Sequence, residues 1–263
     1  MDLGEIEGRE WYHTLELAPG VYTPGYFDHR PLLPKLPMPA SLAGQRCLDI
    51  GTFDGFWAFE MERRGAAEVV AADIHDPLAW DWPAGADPLA IEALERRKEA
   101  GRGFEIAKRA LGSTAQKIDA SVYELSPETH GQFDFVFMGS LLLHLRDPVR
   151  ALERVRSVCR GLFLTIDAVD PLLTLLHPLR PIAFLEGTAR PWWWKPNLRG
   201  YRQMVVSAGF EVVQGPAPIL IPPGEEVKRG RVAWRNLRVY EGRQALLRRH
   251  VGDPHAFILA RGA

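Results

Sequence analysis

The stretch RCLDIGTFDGFWAFEMERRGA, residues 46–66, constrains this chain most: a short apolar run, two glycines, then a pattern with helical spacing. A strand that enters a helix through glycines brings backbone close to a ligand and aims unpaired helix N–H groups at it. The same alternation continues downstream. Strands are expected at 46–50, 68–73, 117–122, 133–138, 162–167, 210–214 and 256–260. Helices are expected at 55–64, at 89–111 with a break near Gly101, at 148–158 and at 198–208. That order predicts an α/β fold, a Rossmann-like doubly wound sheet of seven mostly parallel strands with ligands at their carboxyl ends.

The opening loop discriminates between cofactors. A dinucleotide fingerprint started at Gly51 needs glycines where Phe53 and Phe56 stand, and its middle glycine lets a pyrophosphate touch the backbone. S-adenosyl-L-methionine has no pyrophosphate, so a bulky Phe53 is compatible with it. Asp49, ending the first strand, suits the cationic amino group of its methionine part, directly or through water. Asp73, ending the second, has the spacing of a carboxylate that accepts two ribose hydroxyls. Taken singly, each is equally a strand-end turn residue; together with Gly51, Thr52, Phe53 and Gly55 they form one expected site, with Ile74 beside it.

The blocks WYHTLEL, TPGYFD, LDIGTFDGFWAFEMERRGA, SVYELSPETHGQFDFVFMGSLLLHLRDPVRAL and WWWKPNLRGYRQMVVSAGFEVV span most of the chain. They resemble class I S-adenosylmethionine-dependent methyltransferases, and within them the group related to tRNA wobble-uridine 5-methoxyuridine methyltransferases. The resemblance implies a seven-stranded sheet with one antiparallel strand. It implies Asp49, Gly51 and Gly55 at the methionine part, Asp73 at the ribose, and Ser121 with Val122 at the adenine. Asp119 is the alternative adenine partner, one register step away. Gly139 and Ser140 would wall the transferring methyl group, and Trp11, Tyr12 and Thr23 would close the site from outside. Relatives of the tRNA group use a carboxylated form of this cofactor, which stays open here.

Methyl transfer is an in-line displacement in which the protein aligns the nucleophile and excludes water. His144, in LLLHLRDP, is the candidate base, weighed against a histidine that only packs or caps. Asp147 before Pro148 reads as a helix cap. Trp192, Trp193 and Trp194, with His177, Phe184 and Tyr201, are expected to cover a flat or apolar acceptor, with core packing the competing reading. Trp80 and Trp82 could touch adenine.

At 263 residues, 46% hydrophobic and 25% charged, the chain suits one large domain. Residues 1–44 are expected to form a lead-in covering the cofactor site, and 45–263 the catalytic domain, with a lid-like insertion at 168–197 and a basic one at 222–254. In the latter, GRQALLRRH reads as a short helix with a basic face. Cys47 and Cys159 suggest neither disulfide nor metal site, and a reducing cytoplasm is the natural setting. No run reaches the length of a membrane span, so no membrane partner is expected. The acceptor expected is a small aromatic or lipid-like metabolite methylated on oxygen. A net charge of −1 speaks against RNA as the acceptor, although the basic tail allows tRNA. A cofactor-binding protein without turnover is the third reading, and oligomeric state is left open.

Overall fold

The computed structural model describes residues 3–188, 191–229, 246 and 249–262. Seven strands form the main sheet: β1 (Arg46–Ile50), β2 (Glu68–Asp73), β3 (Gln116–Asp119), β4 (Phe133–Gly139), β5 (Cys159–Ala168), β6 (Phe210–Ile221) and β7 (Asp253–Gly262). Their order is β6-β7-β5-β4-β1-β2-β3. All neighbours run parallel except those of β7, which is antiparallel to both β6 and β5. The order reverses beside β1, the switch point at which doubly wound sheets open a crevice. The expected fold class is the observed one.

Both faces are buried, as the continuous apolar runs of β1, β4 and β5 require. Leu48, Val136, Phe163 and Ile258 pack on one face with Leu152 and Val155 of helix α4; Cys47, Phe135 and Leu164 pack on the other with Trp57 and Met61 of helix α1. The longer helices are α1 (Phe56–Arg63), α2 (Pro88–Lys98), α3 (Arg102–Leu111), α4 (Pro148–Val158) and α5 (Leu198–Ser207), with shorter ones at Leu3–Glu7, Pro127–His130, Pro171–Leu176 and Glu225–Arg229. The expected break near Gly101 is real: Glu99 and Gly101 both adopt positive φ, and a short 3-10 turn separates α2 from α3.

Four strands depart from their expected spans by more than one residue; β5 begins at Cys159 rather than at 162, and the other three depart for identifiable reasons. β3 stops at Asp119, because Ser121 leaves the sheet to cap a 3-10 turn through a capping box with Glu124. β6 runs to Ile221 rather than to 214; Gly215, Pro216 and Pro218 hide the alternation, and register shifts between Val212 and Ala217 absorb the first two. β7 pairs with β6 from Asp253 to Gly262 and with β5 from His255 to Arg261, and so exceeds its expected span.

Upstream of the sheet, Trp11–His13 pairs with Gly25–Phe27. In the 168–197 segment, Ala183–Leu185 and Trp194–Pro196 form a short antiparallel ladder. Of the 222–254 segment, residues 230–245, 247 and 248 lie outside the described residues, and with them most of the expected GRQALLRRH helix.

Candidate active site

One cavity of about 810 Å³ opens at the carboxyl ends of β1, β2, β4 and β5. Its floor holds Gly51 and Phe53 after β1, Asp73 ending β2, and Gly139 with Ser140 ending β4. Tyr12, Tyr26 and Phe27 reach it from the N-terminal segment, and Ala90, Ala93 and Leu94 of α2 wall one side. His144, Val169, Leu172, Trp192 and Trp194 line the mouth.

The β1–α1 turn explains Phe53. Gly51 takes φ +74° and Phe53 φ +50°, the second an uncommon conformation for an aromatic residue. The N–H groups of Gly51 and Thr52 donate to the Ala72 carbonyl, that of Phe53 to Asp73 Oδ2 at 3.0 Å, and that of Gly55 to Thr52 O. These four donors are committed inside the protein, so they cannot cradle a pyrophosphate. The Phe53 ring instead stacks on Tyr12, centroids 4.7 Å apart. Gly55, at φ +92°, is a packing glycine: a Cβ there would meet the rings of Phe59 and Phe104 at 2.6–2.7 Å.

Asp73 is bonded on both oxygens. Oδ2 takes the Phe53 N–H, and Oδ1 lies 2.6 Å from the Lys98 ammonium, which also donates to the Ile74 carbonyl. Each carboxylate oxygen has about two acceptor sites, so both keep one for a ribose hydroxyl. Asp49 is buried and does not line the cavity. Its Oδ2 accepts from Thr52 Oγ1 (2.7 Å) and from the Ala58 N–H (3.1 Å), and burial pushes its carboxyl up to about 7 despite those donors. Asp49 therefore braces the turn that presents Gly51 through Oδ2. Asp54 does similar work on the other side, with Oδ2 accepting the Tyr12 and His13 N–H groups at 2.6 and 3.0 Å. Burial pushes Asp54 up to about 6.

At the β4 end, Ser140 also takes φ +50°, and its Oγ lies 3.1 Å from His255 Nε2. Asp167, the next-to-last residue of β5, accepts the N–H groups of Leu141, Leu142, Leu143 and Ala168 at 2.7–3.2 Å. This carboxylate shapes the loop that carries His144. Burial still lifts it to about 6 against the four donors. His144 Nδ1 lies 2.7 Å from Pro191 O; a carbonyl only accepts, so Nδ1 carries the proton and Nε2 keeps its lone pair. Burial lowers this imidazole to about 4, so it is neutral near pH 7.

Several expected residues lie elsewhere. Trp11 is fully buried, donating to Ile6 O, and Thr23 bridges His13 O and the Leu15 N–H. Asp119 accepts from the His75 N–H beyond the rim, Ser121 caps its turn, and Val122 is core. Tyr201 is buried with its hydroxyl on Thr165, so the core explains it. His177 and Phe184 are exposed and do not reach the cavity. Trp193 alternates away from Trp192 and Trp194, as residues of an extended run do, and donates to Asp81 O under the Arg146 guanidinium. Residues the sequence did not single out include Lys98, Asp167, Asp54 and His255. Lysine at a helix end and aspartate at a strand end both read as ordinary surface residues.

Such a sheet, with a glycine turn and a β2 carboxylate facing one crevice, defines a Rossmann-like enzyme for a nucleoside cofactor. A family model described as a methyltransferase domain matches residues 27–215, and the chain belongs to that family. Residues 27–215 therefore form a methyltransferase-family domain. The curated ubiquinone biosynthesis O-methyltransferase of Acinetobacter baumannii (strain ACICU) is 29% identical over 119 residues, 45% of this chain and 41% of that protein, so the match spans under half of the relative. Among solved structures, the cyclase SpnF superposes with a TM-score of 0.54 at 16% identity, covering 84% of this chain and 77% of that one. A methyltransferase in complex with the Haloferax volcanii Trm112 activator gives 0.50 at 12% identity, covering 89% and 87%. Both likenesses are of fold. The cavity fits the cofactor on its own evidence: a carboxylate with spare acceptor capacity, a turn whose donors are closed to phosphate, and aromatic walls.

Proposed function

We infer that the chain methylates an oxygen of a small aromatic or lipid-like acceptor. The observation that carries this reading is that Leu141, Leu143, Val169, Trp192 and Trp194 line the same cavity as His144, whose Nδ1 is bonded to Pro191 O. A volume of about 810 Å³ lies near the top of the range for small-molecule sites, leaving room for cofactor and acceptor together. The partial likeness to an O-methyltransferase agrees with it.

When bound, S-adenosyl-L-methionine supplies an electrophilic methyl group. Asp73 would hold the ribose hydroxyls, and the Gly51 turn and the Gly139–Ser140 pair would flank the methionine part. Tyr12 on Phe53 would cover the site as part of a lead-in of residues 1–44, and the 168–197 insertion, which contributes Ala168 to Leu172, Trp192 and Trp194 to the cavity lining, would act as a lid to the 45–263 domain. Trp192 and Trp194 would orient a flat acceptor and exclude water. His144 Nε2 would take the acceptor hydroxyl proton as the oxygen lone pair attacks. An imidazole at about 4 is a weak base, so an acidic hydroxyl, such as a phenol, suits it better than an alcohol.

The alternative is methylation of a tRNA wobble uridine. It is favoured by the upstream and downstream blocks that resemble that group, but a net charge of −1 gives little to neutralise phosphates. Supplying the protein with methyl-labelled cofactor and either apolar phenols or bulk tRNA separates the two. Label in a phenol supports the first reading; label in tRNA with steep salt dependence would overturn it.

A further inference from the structure

The segment that follows β5 leaves its apolar side chains in solvent. Leu172, Leu175, Leu176 and Leu179 are 62, 76, 61 and 79% exposed, and Phe184 and Leu185 are 54 and 53% exposed. Isolated exposed leucines are normal; six large apolar side chains within fifteen residues make a patch that marks an interaction surface.

We propose that this segment, residues 171–185, docks on an anionic lipid bilayer, seating the cavity mouth at the membrane surface. Charge chooses the occupant. The segment PLLTLLHPLRPIAFL contains no Asp or Glu, and exposed Arg180 lies within it. Arg199 Nε donates to Pro178 O, which fixes a second guanidinium against it, and Arg202 is exposed three residues along α5, a helix free of acidic residues. Lys195 pairs across from Phe184 in the short ladder. Leucines and an aromatic with cations beside them are what an interfacial anchor presents: apolar atoms enter the acyl boundary while the cations meet lipid phosphates. The nearest acidic residues in sequence, Asp170 and Glu186, lie just outside the segment and line the cavity.

The patch is also continuous with the site. Leu172 belongs both to the exposed face and to the cavity lining, as do Leu220 and Val251, which are 45 and 55% exposed. An apolar acceptor dissolved in the bilayer could pass along these side chains without crossing water. This point rests on the lipid-like acceptor class above; the docking surface does not. The expectation of no membrane partner rested on the lack of a long apolar run, and leucines separated by proline, histidine and arginine escape that criterion.

Flotation of the full chain with vesicles tests the proposal without turnover. Vesicles containing about a third phosphatidylglycerol in phosphatidylcholine should carry the wild type upward, pure phosphatidylcholine much less, and Leu175→Glu/Leu179→Glu should cut the bound fraction by about tenfold or more. Neither leucine lines the cavity, so the double variant should bind S-adenosylhomocysteine like wild type, which excludes misfolding as the cause. Failure of the wild type to float, or flotation that the double variant retains, overturns the proposal. So does light scattering that shows a dimer without lipid, split to monomers by the same variant. A wrong acceptor class would leave flotation intact, and failed flotation would leave label transfer to soluble phenols unaffected.

Discussion

Asp49 and Asp73 look alike in the sequence, each an aspartate ending a strand, yet they do different things. Asp73 was legible because its spacing from the glycine turn is fixed by one helix and one strand. Asp49 was legible as part of the motif, but its bonds to Thr52 and Ala58, three and nine residues away, were not. This makes a pH-dependent prediction. The Asp49 carboxyl titrates at about 7 in the folded chain against an ordinary 3.8. Between those values the folded chain holds a proton that the unfolded chain has lost. The stability this contributes is complete below 3.8 and is lost as pH rises to about 7. Asp49→Asn removes that loss. Its melting temperature relative to wild type should climb across this window and level off above it, with S-adenosylhomocysteine affinity preserved. A flat difference across pH would contradict the buried neutral carboxyl. His144 offers a second test: His144→Ala should lower turnover on a phenolic acceptor by about 10²–10⁴-fold with cofactor affinity unchanged. Unchanged turnover would remove it as the base.

Among the elements, the loop from Ser140 to Leu145 depends on a residue in a neighbouring strand. Asp167 accepts three of its N–H groups, so Asp167→Ala strands buried donors and should destabilise the fold by about 2–5 kcal/mol. Chemical denaturation measures this. Cofactor turnover should fall further than stability alone explains, because His144 rides on the same loop. Helix α1 makes the companion case: Gly55→Ala meets two phenyl rings at positive φ and should cost roughly 1–3 kcal/mol or more. A neutral result would mean that the rings move freely. The element order and the α2–α3 break were readable because periodicity and glycine are local signals. The extent of β6 and β7 was not, because cross-strand pairing around Gly215, Pro216 and Pro218 is a tertiary effect.

The whole molecule gathers its cavity from segments far apart in the chain, from Tyr12 to His255. That explains how the sequence reading placed the floor but misjudged much of the cover. Floor residues sit at strand ends, where topology alone aims them. Residues expected in the cover but not in the cavity lining, such as Trp193, Tyr201 and Phe184, differ from Trp192 and Trp194 only in which way a side chain turns, and that is set by α5, β5 and the short ladder packed around them. The central claim, a nucleoside methyl-donor site centred on Asp73, is best tested by calorimetry with S-adenosylhomocysteine. Asp73→Ala alone would strand the buried Lys98 ammonium, at a cost of about 3–5 kcal/mol, and confuse folding with binding. The double variant Asp73→Ala/Lys98→Met removes both charges together. Wild type should bind, and the double variant, melting near the wild-type temperature, should bind at least about tenfold more weakly. Equal affinity in the two proteins, or no binding by wild type, would contradict the account.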